Sequence, residues 1–134
     1  MQKIPIIVAE LLMISNCAIS QFRLDIEITE LRNNKGLLMF QLFDENQKVI
    51  ALEKKSIENN KSFITFRDLE PGKYAVRFFH DENLSGEMET NFVGKPVEGY
   101  GFSNNATGKF GPPPFKKWLF EIREDKKIIL KTVY

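Results

Sequence analysis

The segment from Asp81 to Gly86 carries the residue types that could bind a hard cation. Side-chain oxygens alternate along it in the pattern D-x-N-x-S-G, and a glycine at the sixth position lets a calcium loop turn sharply around the ion. The twelfth position, where a bidentate glutamate closes such a loop, is Phe92, and Glu98 could substitute for it. The same segment would also form an Asx-type turn without metal, so both interpretations stay open. The candidate calcium ligands are Asp81, Asn83, Ser85, the backbone carbonyl of Glu87, and Glu89.

The single histidine of the chain, His80, is the residue that a serine–histidine–acid arrangement would need as its base. Such a hydrolase would orient His80 with Asp81 or Glu98 and use a nucleophile such as Ser103. A lone histidine at the end of a strand is more often a structural hydrogen-bonding group. We therefore expect a non-catalytic protein and keep the hydrolase as the alternative.

Residues 80–118 form the most unusual part of the sequence. Between Phe92 and Trp118 lie five of the eight glycines, four of the six prolines and six aromatic residues. A loop this long is usually functional or disordered, and aromatic residues argue against disorder because they normally pack. The pattern predicts an ordered excursion that either presents a binding surface or closes an open end of the core. The candidate binding surface is His80, Glu98, Tyr100, Phe102, Asn104, Asn105, Phe110, Phe115 and Trp118.

Strands must position these residues, because the rest of the chain alternates between apolar and polar residues with a period of two. The segment 37–43 is apolar enough to be covered on both faces. A turn at Pro71-Gly72 joins two of the strands. The predicted strands in the first two thirds of the chain are 22–29, 37–43, 62–69 and 73–80.

Two further segments complete the predicted architecture. Residues 49–57 have helix-forming composition, yet a short edge strand fits them as well. Residues 118–122 and 128–134 alternate again and predict a terminal hairpin. Six or seven short strands with turns at this spacing predict an all-β fold, a single antiparallel β-sandwich over 21–134.

The composition excludes several classes of protein. The net charge of +1 over 134 residues gives no global electrostatic reason to bind nucleic acid or an anionic membrane. One cysteine and one histidine rule out a Cys/His zinc cluster and a disulfide framework within this chain. We therefore expect no nucleic-acid partner. An unidentified ligand or envelope protein is the expected partner.

The first 20 residues read as an export signal. Lys3 provides a positive start, residues 4–14 are mostly apolar, and Ala18 and Ser20 are small residues where a signal peptidase cuts. The apolar run is short for a membrane span, and Glu10 interrupts it. The alternatives are lipid attachment at Cys17 and a first strand or helix of the folded domain. The sequence predicts an exported protein, in the periplasm, at the cell surface or secreted, with no transmembrane span in the mature chain.

Several strings of the second half resemble a known family. LEPGKYAV at 69–76, HDEN at 80–83 and PVEGYGFSNN at 96–105 are similar to the signatures of an exported bacterial family called domain of unknown function 2141. The resemblance extends over essentially the whole chain after residue 20. It implies a small exported bacterial domain and no particular activity.

A shorter string is similar to a second group of proteins. The string F-x-x-L-x-P-G-x-Y at 66–74 resembles a strand–turn–strand unit of prealbumin-like and carboxypeptidase-regulatory-type sandwiches. The expected sandwich is therefore immunoglobulin-like or prealbumin-like, which is a statement about fold and carries no activity.

We expect a non-catalytic binding or accessory module of unknown specific function, in which calcium could stabilise the 81–89 loop. Aromatic residues held in a rigid loop make good contact residues for a partner, and they also stack on sugars. The alternatives are a hydrolase that uses His80 and a structural component of a cell-envelope assembly. A structural component would show an exposed apolar patch away from the excursion.

Overall fold

The computed structural model describes residues 20–88 and 98–134, and this part of the chain is all-β. Two single-turn 3-10 segments, Ser103–Asn105 and Phe115–Lys117, interrupt the second half. The described strands are β1 (Phe22–Thr29), β2 (Leu37–Asp44), β3 (Val49–Lys55), β4 (Ser62–Leu69), β5 (Gly72–Asp81), β6 (Tyr100–Phe102), β7 (Phe120–Ile122) and β8 (Lys126–Lys131).

The strands form two sheets that pack against each other as a sandwich. One sheet has three strands in the order β4-β1-β8. The other has the order β3-β2-β5-β6, and β7 also pairs with β5. Strands β6 and β7 pair with different parts of β5, residues 77–79 and 72–74. All pairs are antiparallel except β1 with β8, which is parallel, so the predicted two-sheet, mostly antiparallel fold is confirmed.

The main core lies between the two sheets, because alternate residues of each strand point inward. Leu24, Ile26 and Ile28 of β1 are at most 1% exposed, and they share one cluster with Phe40 of β2 and Phe78 of β5. Burial of one such side chain contributes roughly 1.5–3 kcal/mol. The uninterrupted alternation of β1 therefore both predicts the strand and supplies one wall of the core.

The predicted terminal hairpin is wrong, although both of its strands exist. Phe120–Ile122 pairs with the beginning of β5 in the five-stranded sheet, whereas Lys126–Lys131 runs parallel to β1 in the other sheet. The chain therefore crosses between sheets at residues 123–125. Alternation shows which side chains of a strand face the core, but it does not show which strand lies alongside.

The two faces of β2 and the ambiguous segment 49–57 are settled by the structure. Strand β2 is covered on both faces as predicted, since Phe40 is buried inward and Met39 and Phe43 outward. Segment 49–57 is not a helix: its residues 49–55 form β3, at the edge of the five-stranded sheet.

The outer face of the five-stranded sheet carries a second, smaller apolar cluster. Phe43, Ala75, Phe102 and Trp118 form it. An antiparallel sheet often leaves its outer face to solvent, but here Ala106, Phe115 and Trp118 of the excursion pack back on that face. The excursion thus covers a sheet face rather than an open end of the core.

Candidate functional site

The central position of this outer face is occupied by an arginine. Strand β5 turns Ala75, Arg77 and Phe79 outward, because Val76 and Phe78 between them belong to the main core. In the register of the sheet, Arg77 stands between Gln41 of β2 and Phe102 of β6. A charged residue is thereby placed among apolar and aromatic neighbours.

The guanidinium of Arg77 is held by a neutral partner. Its Nε donates a hydrogen bond of 2.7 Å to the side-chain oxygen Oε1 of Gln41, and its Nη2 donates to the same oxygen. Its Cζ lies 5.4 Å from the ring centroid of Phe43, a cation–π distance. Partial burial lowers the pKa of Arg77, because the charged form loses hydration. We call Gln41, Phe43, Arg77, Tyr100 and Phe102 the Arg77 face.

The aromatic residues of the excursion pack beside the Arg77 face. The ring of Trp118 lies 4.4 Å from that of Phe102 and 5.8 Å from that of Phe43, between centroids, and Phe115 packs on it at 5.3 Å. The indole Nε1 of Trp118 donates a 3.0 Å hydrogen bond to the carbonyl of Pro113. Phe102 and Trp118 are buried, so they fix the base of the excursion.

Polar side chains anchor the same base. Ser103 Oγ accepts a hydrogen bond from the backbone N–H of Val76 at 2.9 Å and donates to the carbonyl of Trp118. The amide of Asn104 donates to the carbonyls of Lys117 and Leu119. Asn105 accepts from the backbone N–H of Lys131 in β8. Asn104 and Asn105 therefore position the excursion through backbone groups of neighbouring segments.

The tip of the excursion is exposed. Phe110 has its full side-chain surface in solvent, with a relative exposure of 101%, and Lys109 next to it is also exposed. Gly111 has φ of 136°, a conformation open to glycine alone, and it turns the chain back toward the base. A large apolar side chain is thus presented on a loop whose base is packed.

His80 lies in a different place, at the inward side of the end of β5. Its side chain is fully buried. Its Nε2 is 2.6 Å from the carbonyl oxygen of Lys35, and its Nδ1 is 3.0 Å from the hydroxyl of Tyr134. A carbonyl only accepts, so Nε2 carries the proton, and in the neutral ring Nδ1 accepts from Tyr134. Both ring nitrogens are therefore engaged inside the protein.

Charged residues complete the surroundings of His80. Glu98 is buried, and its Oε2 accepts a 2.8 Å hydrogen bond from the backbone N–H of Glu82. The Nε of Arg32 donates to Oε1 of Glu82 at 2.6 Å, and this bond holds the pKa of Glu82 below its usual value. The Tyr134 hydroxyl accepts from the backbone N–H of Arg32. We call Arg32, Lys35, His80, Glu82, Glu98 and Tyr134 the His80 cluster.

The geometry of the proposed hydrolase is not present between these residues. Ser103 is hydrogen-bonded at Val76, four residues before His80 along β5, which is a separation of about 13 Å in an extended strand. No described hydroxyl other than the Tyr134 phenol lies within hydrogen-bond distance of His80. The histidine is positioned as a structural hydrogen-bonding group.

The Asp81 loop is folded by its own backbone amides. Asp81 is buried, and its two carboxylate oxygens accept hydrogen bonds from the N–H groups of Ser85, at 3.0 Å, and of Gly86, at 2.7 Å. Asn83 also accepts from Ser85, and the Ser85 hydroxyl donates to the carbonyl of Glu87. Gly86 has φ of 79°, as the sharp turn requires. These contacts match the Asx-type turn.

The fifth candidate calcium ligand, Glu89, lies outside the described residues. Within the described ranges, no group of three or more histidine, cysteine, aspartate and glutamate side chains is arranged to hold a metal ion. The described candidate ligands lie together in one loop, and their side-chain oxygens bond to backbone amides.

Sequence reasoning missed Arg77. The signal was available in the sequence, since Arg77 is the one charged residue between Tyr74 and His80, in a strand whose other outward positions are Ala75 and Phe79. The outward residues of a central strand are usually all apolar, when another segment covers them, or all polar, when they face water. A single cationic residue among apolar outward residues is therefore a candidate functional residue.

One known family matches most of the chain. The model of a family described as an uncharacterized protein conserved in bacteria, DUF2141, matches residues 26–129. The chain belongs to this family. The DUF2141 match begins within β1 and ends within β8, so it includes the Arg77 face, the excursion and every residue of the His80 cluster except Tyr134. No curated protein matches the chain.

Between residues 20–88 and 98–134, no helix has the length and apolar character needed to cross a bilayer.

Proposed function

We propose that this bacterial protein is an exported, non-catalytic binding module that contacts an envelope component with the tip of its excursion. The observation that carries the proposal is the full exposure of Phe110 on a loop whose base is packed around Trp118. A large apolar side chain that lies fully in water gains burial when a partner covers it. The packed base of the loop limits the entropy that is lost when the tip is ordered.

The charge of the excursion supports a role in contact with a partner. Residues 99–118 contain Lys109, Lys116 and Lys117 and no acidic residue, and all three lysines are exposed. Phe110 therefore follows a lysine in a segment whose charged residues are all lysines, although the whole chain is close to neutral. A partner with an apolar site bordered by negative groups would match this tip.

Binding is tested by sedimentation with purified bacterial envelopes as the probe. We expect the mature protein to sediment with the envelopes and Phe110→Ser to bind at least about tenfold more weakly, as for a central contact residue. Phe63→Ser is the matched control, because Phe63 is 59% exposed on the outer face of the other sheet. Equal binding of all three proteins, or failure of the wild type to sediment, would refute the proposed surface.

Export is a separate part of the proposal and has its own test. Cleavage after Ser20 would leave Gln21 as the first residue of the mature protein. The intact mass and cell fraction of the protein, expressed from the full chain in a bacterium, report this directly. A mature chain beginning at Gln21 outside the cytoplasm is expected. A lipid-modified Cys17 in a membrane fraction would support the alternative processing, and an uncleaved cytoplasmic chain would contradict export.

Calcium stays a prediction for the Asp81 loop. A ligand that binds only the native state at 100 times its dissociation constant stabilises it by about 2.7 kcal/mol. Thermal melting of the mature protein with and without millimolar calcium measures this, and Asp81→Asn is the variant that removes the central carboxylate. A melting temperature that does not respond to calcium in the wild type would remove calcium from the proposal.

A specific observation also favours the structural alternative. Val49, Ile50 and Leu52 of the edge strand β3 are 44–54% exposed, and an exposed apolar edge strand can pair with another chain. A photo-crosslinking residue at position 52 in intact cells tests this, with position 25 in β1, the central strand of the other sheet, as control. A discrete adduct from position 52 alone supports an assembly role, and adducts from both positions or neither contradict it.

A further inference from the structure

The arginines of this chain differ in their exposure to solvent and in whether a carboxylate lies beside them. Arg23, Arg32 and Arg123 are exposed, and each has a carboxylate oxygen within 3.1 Å. Arg77 is the least exposed arginine of the chain, yet among the described residues it forms no ion pair. Arg67 also has no ion pair among the described residues, but it is exposed, so water can hydrate its charge. Arg77 is the arginine that water reaches least, and within the described parts of the chain its hydrogen-bond partner is an uncharged amide.

Partial burial of the Arg77 charge beside a neutral partner is expected to lower the stability of the fold. A charge removed from water is normally balanced by an opposite charge, and an amide dipole replaces only part of the lost hydration. An apolar residue at position 77 would extend the second cluster of Phe43 and Phe102 without that cost. The position of Arg77 is therefore explained better by a bound anion than by stability.

The geometry leaves part of the guanidinium free to bind such an anion. A guanidinium has five N–H donors, and Gln41 accepts from Nε and from one N–H of Nη2. The two N–H groups of Nη1 and the second of Nη2 have no hydrogen-bond acceptor in the described parts of the chain. Together they form the end of the fork that binds both oxygens of a carboxylate.

The side chains around Arg77 indicate which kind of chemical group is attached to that carboxylate. Phe43 lies under the guanidinium, Tyr100 is partly exposed on β6, and Leu52 is 54% exposed beyond Gln41. These neighbours can cover an apolar group, and the face offers one positive charge rather than the several that a phosphate prefers. We propose that Arg77, oriented by Gln41, binds the carboxylate of a ligand whose adjoining group is apolar, on the outer face of the five-stranded sheet.

The test uses small probes and the protein's own tryptophan. Trp118 is the only tryptophan and lies 5.8 Å from Phe43 between ring centroids, so its fluorescence reports on this face. The mature protein is titrated with 3-phenylpropionate, with its uncharged amide, with N-acetyl-Ala-Phe as a model of a peptide C-terminus, and with inorganic phosphate. NMR of the Arg77 Nε–H signal gives an independent readout of the same titrations.

We expect the two carboxylates to bind and the amide to bind at least about tenfold more weakly, because one charge-assisted bidentate contact is lost. The tighter of the two carboxylates identifies a free acid or a peptide C-terminus as the source. Arg77→Met should weaken carboxylate binding at least about tenfold, and Arg77→Lys should recover little of it because lysine lacks the fork. Gln41→Leu should weaken it less, since the charge remains.

Arg123→Met is the matched control, because it removes an exposed arginine paired with Glu121 and should leave carboxylate binding unchanged. Equal affinity for the acid and the amide, tighter binding of phosphate, or no binding by the folded wild type up to about 10 mM would overturn the proposal. The site lies on the sheet rather than at the loop tip, so the Phe110 experiment can fail while this one succeeds, and the reverse.

Discussion

The Arg77 face and the His80 cluster lie three residues apart on the same strand, on opposite sides of the sheet. In the His80 cluster both imidazole nitrogens, the Oε2 oxygen of Glu98 and the Tyr134 hydroxyl are hydrogen-bonded to other protein groups. On the Arg77 face, a partly buried cation has one neutral partner. Residue type alone would favour His80 as the functional residue. The hydrogen-bond partners of the two residues instead favour Arg77 as a ligand-binding residue.

Structural and functional polar residues can be distinguished by whether their hydrogen-bond and charge partners lie within the protein. A buried polar group whose hydrogen bonds are all made within the protein stabilises the fold, and removing it leaves its partners unsatisfied. A partly buried charge with no opposite charge among the described residues leaves an interaction for a ligand to complete. The two regions should therefore respond to substitution in opposite ways, and the following predictions test that.

The largest loss of stability is expected from a substitution of Gly36, which follows Lys35 of the His80 cluster. Gly36 has φ of 66°, and a Cβ at this position would lie 1.9 Å from the carbonyl oxygen of Asp81. Gly36→Ala should therefore lower the free energy of unfolding by more than about 3 kcal/mol, as measured by chemical denaturation. Gly86→Ala is the control: φ is 79° but no atom lies within 4 Å of the added Cβ, so only the backbone strain of about 1–2 kcal/mol remains. Equal losses would contradict the close approach.

The second effect concerns the histidine itself. His80→Leu keeps an apolar side chain of similar size but leaves the Lys35 carbonyl and the Tyr134 hydroxyl without their partner. The loss of unfolding free energy should be about 2–3 kcal/mol, with unchanged binding of every probe of the Arg77 face. A variant as stable as the wild type would show that the His80 cluster does not hold the fold together.

The Arg77 face should give a much smaller change in stability. Arg77→Met removes the cost of partly burying a charge, and the partner that it leaves, Gln41, is only partly buried, so water can replace the lost hydrogen bond. We expect an unfolding free energy within about 1 kcal/mol of the wild type, or slightly above it. A loss of more than about 2 kcal/mol would place Arg77 with His80 as a structural residue and remove the contrast between the two regions.

The smallest effect is a dependence of stability on pH. The hydrogen bond from Arg32 lowers the pKa of Glu82 below its ordinary value. A lowered carboxyl pKa stabilises the fold above the unfolded pKa and loses that contribution as the pH falls through the folded pKa. The Arg32 side chain is 48% exposed, so the contribution should stay below about 1 kcal/mol.

The measurement for Glu82 compares the wild type with Glu82→Gln by denaturation at two pH values. The wild type should be more stable than the variant at pH 7, and the difference should shrink as the pH is lowered through the folded pKa of Glu82, which lies below the ordinary value of 4.5. A difference that does not change with pH would mean that the charge of Glu82 makes no net contribution.

Much of the fold could be predicted because the relevant signals are local. The alternation of residues 22–29 identified β1 and its buried side, and the apolar run 37–43 predicted that both faces of β2 are covered. The terminal hairpin could not be predicted correctly, because strand partners depend on contacts between distant parts of the chain. The pairing of β8 with β1 joins residues about a hundred positions apart.

The candidate site divides in the same way. The aromatic residues of the excursion were predicted as a group, and the structure brings Tyr100, Phe102, Phe115 and Trp118 together beside one sheet face. Their individual exposure was not predictable: Trp118 is buried and Phe110 is fully exposed. Both are aromatic residues in a Gly/Pro-rich segment, and only the packing of the loop on the sheet distinguishes them.

The sequence by itself determined which residues lie in strands, which sides of those strands are apolar, and where the chain leaves the sheet. These properties follow from side-chain period and turn chemistry over a few neighbouring residues. The tertiary structure alone decided that His80 has both nitrogens occupied and that Arg77 has no carboxylate beside it in the described structure. A hydrogen-bond partner or an opposite charge acts through space at a few ångströms, and residues that close are often far apart along the chain.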